Sequence, residues 1–225
     1  MALLLNIDTA TEIASISISE NEEVIGSAIN LDQKDHASFL QPAIKDLLQK
    51  AHLSINKLNA IAVTAGPGSY TGLRVGMASA KGLCYALNIA LITVSTLEVM
   101  ALSSIKQIQD PSSWYCPMID ARRMEVFTAV YDHQLTEIIQ PCSMILDGES
   151  YKDLLEKNKI YFSGSGATKL KEILNNKNAA YTTNEFDPAS MAALSYKNFK
   201  ENNFANVSYA APVYLKEFYT PLTKG

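Results

Sequence analysis

Thr64-Ala65-Gly66-Pro67-Gly68-Ser69-Tyr70-Thr71-Gly72-Leu73-Arg74-Val75-Gly76 joins an apolar strand to a helix through a glycine loop. The strand, residues 60–64, reads as buried, and the helix that follows spans 73–87 before another strand at 90–94. The loop is neither of two familiar phosphate cradles. No Gly-Lys-Ser/Thr closes it, and Thr71 stands where Gly-x-Gly-x-x-Gly needs its last glycine. Its glycines read instead as permitting tight turning and close approach, with Ser69 or Thr71 free to cap the helix. Along that helix Gly72, Gly76, Ala80 and Cys84 recur every four residues, so one stripe lacks bulk. A second helix can then approach to backbone contact, either from the same lobe or from another chain.

Upstream, residues 3–7 read as a buried strand. The alternation Ala14-Ser15-Ile16-Ser17-Ile18-Ser19 has the period of a strand with one dry face. Asn21-Glu22-Glu23 turns the chain into a third strand at 24–29. From Phe39 the period changes: Phe39, Leu40, Ala43, Ile44, Leu47, Leu48 and Ala51 form a helical stripe over 39–51. Ser38 and Gln41 have capping-box spacing, and Pro42 should loosen the first turn. A helix at 97–108 ends near Asp110-Pro111-Ser112-Ser113, which divides the chain into lobes of residues 1–109 and 110–225. The second half starts over with strands at 115–119, 125–131, 135–139 and 160–163, and helices at 149–157, 167–175 and 188–202. Two successive units of strands followed by helices predict a duplicated α/β architecture.

The 225 residues are 48% hydrophobic, enough for a substantial core, and carry a net charge of -4. That balance offers no basic footprint for neutralising phosphates, so any RNA would be held mainly by another subunit. Cys84, Cys116 and Cys142 are odd in number, far apart and without Cys-x-x-Cys spacing, which fits a reducing cytosol rather than a disulfide framework or a zinc site. The start of the chain lacks a basic region, and no segment approaches the roughly 18 apolar residues of a bilayer span. A cytoplasmic protein is expected.

Few motifs suggest chemistry. Asp8-Thr9-Ala10-Thr11 at the end of the first strand could face a nucleotide phosphate through magnesium, or could satisfy its own turn. Asp120-Ala121-Arg122-Arg123 places a carboxylate and two guanidinium groups at a hairpin tip that could meet an anion or stay solvated. Gly164-Ser165-Gly166 could lie against a ribose or be an ordinary βα turn. His36, His52 and His133 do not cluster, so no metal site is expected.

Taken together, Ile7-Asp8-Thr9, Lys34-Asp35-His36, residues 64–76, Ala80-Lys81-Gly82-Leu83, residues 120–126 and Pro212-Val213-Tyr214-Leu215 closely resemble the bacterial TsaB family. The resemblance implies duplicated ribonuclease H-like lobes of the actin, hexokinase and Hsp70 (ASKHA) type, with mixed sheets flanked by helices. It implies a role in forming threonylcarbamoyladenosine beside the anticodon of tRNA. In that pathway the paralogue TsaD transfers the threonylcarbamoyl group, helped by the ATPase TsaE, and TsaB is a non-catalytic scaffold. TsaD-like enzymes carry a metal-binding His-x-x-x-His pair after the fifth strand. This chain resembles them there with Thr96 and Met100 at the two positions, and neither side chain replaces imidazole at a hard metal.

The resemblance thus implies no catalytic residue, metal or cofactor in this chain. Its partners would be TsaD and TsaE, with a homodimer when TsaD is absent and tRNA reached only through the complex. The expected docking surface comprises Leu40, Ile44, Leu47, Gly72, Leu73, Gly76, Met77, Ala80, Leu83 and Cys84, and a vestigial nucleotide site would comprise Asp8, Thr9, Asp120, Gly164 and Gly166. The competing expectation is an independent kinase or peptidase-like enzyme of the same fold.

Overall fold

The computed structural model describes residues 1–32, 36–183 and 187–216. The chain begins β1 (Leu3–Asp8), β2 (Ala14–Glu20), β3 (Glu23–Asn30), α1 (His36–Lys50), β4 (Ala60–Gly66), α2 (Tyr70–Leu87), β5 (Ala90–Ser95) and α3 (Thr96–Ile108). It continues β6 (Trp114–Asp120), β7 (Glu125–Tyr131), β8 (Glu137–Ile145), α4 (Lys152–Leu155), β9 (Ile160–Ser163), α5 (Ala167–Ile173), β10 (Ala179–Thr182) and α6 (Pro188–Lys200).

The strands form two five-stranded sheets, ordered β3-β2-β1-β4-β5 and β10-β9-β6-β7-β8. In each, three antiparallel strands are followed by two parallel to the first: β4 and β5 extend β1, and β9 and β10 extend β6. The duplication absent from the residues themselves is thus explicit in the topology, and the fold is the ASKHA type.

One face of the first sheet packs on α1 and α2 through Leu5, Ile7, Ile16, Ile18, Leu40, Ile44, Met77 and Ala80. The other face carries Leu4, Ala60, Ala62 and Ile92 against Val99 of α3 and Met191 and Leu194 of α6. A further apolar cluster sets Leu97, Met100 and Ala101 of α3 against Ile119, Ala129 and Tyr131, so α3 is wedged between the lobes.

Several boundaries differ from the sequence reading. Helix α1 starts a turn earlier, at His36, and runs through Pro42, so Ser38 lies inside it and is not its cap. Strand β8 passes through Pro141 instead of stopping before it; an edge strand tolerates a residue that cannot donate to a ladder. Strand β10 has only four residues and was not anticipated. The end of the chain packs across the expected division at 109/110. Helix α6 packs on the first sheet, Ala205 bridges to Leu91 of β5, and Val213 N donates to Ala65 O at 2.7 Å. Through these contacts parts of residues 188–213 lie against the first lobe.

Among the described residues, no helix is long and apolar enough to cross a membrane. Cys84, Cys116 and Cys142 are all free thiols.

Candidate functional site: the cleft between the lobes

Strand β1 reads Leu-Leu-Leu-Asn-Ile-Asp, and its pleat sends Leu5 and Ile7 to one face and Asn6 and Asp8 to the other. In β2, Ser15 pairs with Asp8 and Ser17 with Asn6. The serine face was expected to be the wet side of the strand. It is instead buried: Ser15 is 7% exposed, Ser17 2% and Ser19 0%. Asn6 Nδ2 donates to Ser17 Oγ at 3.3 Å and Ser19 Oγ at 3.1 Å.

This polar face floors a cleft of about 200 Å³. Thr11, Glu12 and Ile13 of the β1–β2 turn form one side; Thr96, Val99, Met100 and Ser103 of α3 form another. Ile119, Gly164 and Ser165 close it from the second lobe, and Asp187, Pro188 and Met191 from the start of α6. Among the described lining residues there is no lysine or arginine.

Asp8 accepts from Thr64 Oγ1 at 2.9 Å and Ala10 N at 3.0 Å, both on Oδ1. Burial raises its pKa above the usual carboxylate value, against the lowering effects of those bonds and of nearby His36. His36 Nε2 lies 3.1 Å from Thr11 O. Two buried atoms at the cleft, Asn6 Oδ1 and Thr96 Oγ1, have no hydrogen-bond partner among the described residues.

The expected nucleotide residues are not brought together as a set. Asp8 and Gly164 line the cleft. Thr9 is fully buried and its hydroxyl donates to Gly72 O at 2.7 Å, so it is turned into α2 and away from any phosphate. Asp120 forms an ion pair with Lys169 at 2.7 Å and accepts from Arg122 N at 2.6 Å. Burial opposes its ionisation, but Lys169 and Arg122 prevail and its pKa is lowered. Gly166 packs on Met118 and Val126. Arg122 and Arg123 are exposed at the hairpin tip.

The small-residue stripe also has a different role from the expected one. Ser69 does cap α2, its Oγ accepting from Gly72 N at 3.3 Å. A Cβ on Gly72 would stand 2.0 Å from Thr9 O, and one on Gly76 2.3 Å from Thr9 Oγ1. The stripe therefore seats the β1–β2 turn of its own lobe. Leu40, Ile44, Leu47, Met77, Ala80 and Cys84 lie in that lobe's core, Gly72, Leu73 and Gly76 are buried with them, and Leu83 is half-buried. What α2 turns outward is Tyr70, Thr71, Arg74, Ala78, Gly82, Tyr85 and Ala86.

Sequence reasoning overlooked Asn6, Ser15, Ser17 and Asp187. The available signal was an asparagine interrupting an apolar buried strand, opposite serines that alternate with isoleucine.

Residues 23–219 match the profile of the family described as TsaD: tRNA N6-adenosine threonylcarbamoyltransferase. The chain belongs to the TsaD family. Within it, the chain is 29% identical to the tRNA threonylcarbamoyladenosine biosynthesis protein TsaB of Bacillus subtilis (strain 168), over 95% of this chain and 93% of that protein. The solved structure of YeaZ from Pseudomonas aeruginosa superposes with a TM-score of 0.81 at 25% identity, covering 96% of this chain and all of that one. A more distant likeness, of fold alone, is to the activator of 2-hydroxyisocaproyl-CoA dehydratase from Clostridium difficile with bound ADPNP, at TM-score 0.51 and 10% identity over 90% of this chain and 96% of that one.

The TsaD-family metal can be tested against the residues present. Thr96 and Met100 stand one turn apart at the start of α3, as the two imidazoles would. Thr96 is 1% exposed, and the Met100 methyl abuts Gly164, where an added Cβ would lie 2.5 Å from it. A hydroxyl and a thioether do not make a hard-metal donor set. These residues do not fit the ion.

Proposed function

We propose that this chain is a non-catalytic, activating subunit of a tRNA threonylcarbamoyladenosine-forming assembly. It docks a TsaD-type transferase, with a TsaE-type ATPase as the third component, and pairs with a second copy of itself when the transferase is absent. The observation that carries this reading is the replacement of the expected ligand pair by Thr96 and Met100 in a chain that otherwise keeps the family's fold. The same fold with a hydroxyl and a thioether at those positions retains surfaces but not Lewis-acid chemistry. The turn of Thr9 into α2 and the absence of a cation among the described cleft residues add to it, because a phosphate there would meet carboxylates.

The docking face we assign is the outer side of α1 and α2, corrected for the inward stripe. On α2 it presents Ala78 and Gly82, and no atom lies within 4 Å of an added Gly82 Cβ. Tyr85 beside them is 85% exposed, a large aromatic anchor of the type that dominates interfaces. Reconstitution tests both parts. Transferase plus ATPase should modify tRNA only when this chain is added, and Gly82→Trp or Ala78→Trp should abolish co-elution with the transferase while the circular dichroism and melting of the lone chain stay unchanged. Modification of tRNA by this chain with no transferase present would refute the reading.

A further inference from the structure

The cleft has a chemistry of its own, independent of docking. Three polar side chains, Asn6, Ser15 and Ser17, are buried on a sheet face where apolar residues would cost nothing, and half-buried Asp8 stands beside them. Asn6 uses both amide hydrogens on Ser17 and Ser19, and its remaining Oδ1, which can only accept, has no partner among the described residues. Thr96 Oγ1 is buried and equally unpartnered at the facing end of α3. Half-buried Asp8 places both described bonds on Oδ1, leaving Oδ2 as a further acceptor. The unfilled capacity is mainly for accepting, so it calls for a donor.

Charge agrees. Asp8, Glu12 and Asp187 line the cleft with no described cation opposite. Two helices begin here, but both are capped internally: Ser95 Oγ accepts from Glu98 N at 3.4 Å, and Asp187 accepts from Ala189 N at 2.9 Å. Their positive ends are therefore partly spent on the chain's own side chains, and an anion is left little to bind. A metal cation is disfavoured too, because among the described residues no three His, Cys, Asp or Glu side chains converge as ligands. At about 200 Å³ the space falls below the roughly 300 Å³ lower bound of drug-sized sites, too small for a nucleotide. Val99, Met100, Ile119 and Met191 give it an apolar wall suited to methylene groups.

We infer that the interlobe cleft binds a small organic ammonium ion. Its N–H groups bond Asp8, Asn6 Oδ1 and Thr96 Oγ1, and its short carbon chain lies along the α3 and α6 side.

The test is calorimetry and thermal melting of the full chain with putrescine and ethanolamine, against butanediol as the neutral analogue and magnesium-ATP as the anionic one. The amines should bind saturably at millimolar or lower concentration and raise the melting temperature, and butanediol and magnesium-ATP should not. Asp8→Asn and the near-isosteric Thr96→Val should each weaken amine binding by about tenfold or more, the loss expected for one hydrogen bond to a charged group. Thr96→Val keeps the test sound if Asp8→Asn perturbs the turn. No saturable amine binding, equal binding of butanediol, a preference for magnesium-ATP, or unchanged affinity in both folded variants would each overturn the assignment.

Discussion

Gly72 and Gly82 sit ten positions apart on one helix, yet substitution should move stability in opposite directions. At Gly72 a methyl would collide with the Thr9 carbonyl, 2.0 Å away, in a turn fixed by the Thr9 hydroxyl bond back to the same residue. Gly72→Ala should cost about 2–4 kcal/mol, the range of buried steric insertions. Gly82 is exposed with open space around it, so Gly82→Ala should gain about 0.5–1 kcal/mol from helix propensity alone. Urea denaturation of the two variants checks both signs. Asp8 offers a third test. Its folded pKa is raised, chiefly by burial, so its ionisation is easier in the unfolded chain. Its contribution is most favourable below the unfolded value near 4 and becomes a penalty as pH rises through the folded value. Asp8→Asn keeps an acceptor for Thr64 and Ala10 and carries no charge, so it should melt higher than the parent at neutral pH, with the gap closing toward pH 4. A stabilising change that removes ligand binding would mark Asp8 as retained for the cleft. A gap that widens in acid would mean that the carboxylate is stabilised by the fold.

The strands and helices of the first lobe could be read with few errors because each has a strong period and a clear stop, as in the helical stripe at 39–51 and the apolar run of β4. The second lobe was less readable for local reasons. Pro141 breaks a strand pattern except at a sheet edge, which no single sequence announces, and β10 is four residues whose only support is pairing with β9. What side a stripe faces was the larger error. Spacing places Gly72, Gly76, Ala80 and Cys84 on one line but says nothing of whether a sheet of the same chain or a foreign helix covers it. The β1 and β2 polar face failed for the mirror reason: alternation predicts one wet side, and α6, remote in sequence, covers it. Thr128 shows how long-range contacts bind the second lobe together. Its hydroxyl donates to Pro117 O at 3.0 Å, receives Tyr151 OH at 3.1 Å and lies 3.3 Å from Cys116 Sγ, joining β6, β7 and the approach to α4. Burial pushes the Cys116 thiol up to about 12, so it stays protonated in this network at neutral pH. Thr128→Val keeps the shape but removes the acceptor of the buried Tyr151 hydroxyl, leaving it only the weakly bonding Cys116 thiol, and should destabilise the chain by about 1–3 kcal/mol in equilibrium unfolding. A loss no greater than that of Thr136→Val, on an exposed turn, would show that the network contributes nothing.

The two lobes are joined by more than the α3 wedge, because the chain doubles back over both. After α6 it returns across the first lobe, where Lys81 of α2 donates to Ala210 O at 2.8 Å and Ser208 O at 3.3 Å. Tyr214 then packs on Tyr70 at 5.3 Å between ring centroids, and Lys216 reaches the second lobe to pair with Glu125. The Lys216 and Ser143 hydrogen bonds hold the Glu125 carboxyl below its usual pKa. That pair is partly exposed, and exposed ion pairs contribute at most about 1 kcal/mol. The Lys81 clamp is the stronger hold, since its ammonium serves two backbone carbonyls, that of Ala210 in a part-buried bond. Lys81→Met preserves the aliphatic stem and removes only those donors. It should leave the sheets intact, lower stability by about 1 kcal/mol, and speed proteolytic cleavage within residues 208–216 relative to the parent. Lys216→Met should accelerate cleavage less, because Val213 and Tyr214 remain anchored upstream of it. If instead Lys216→Met frees the segment as fully as Lys81→Met, the strap is held from its far end, by the second lobe, and the first-lobe contacts merely follow.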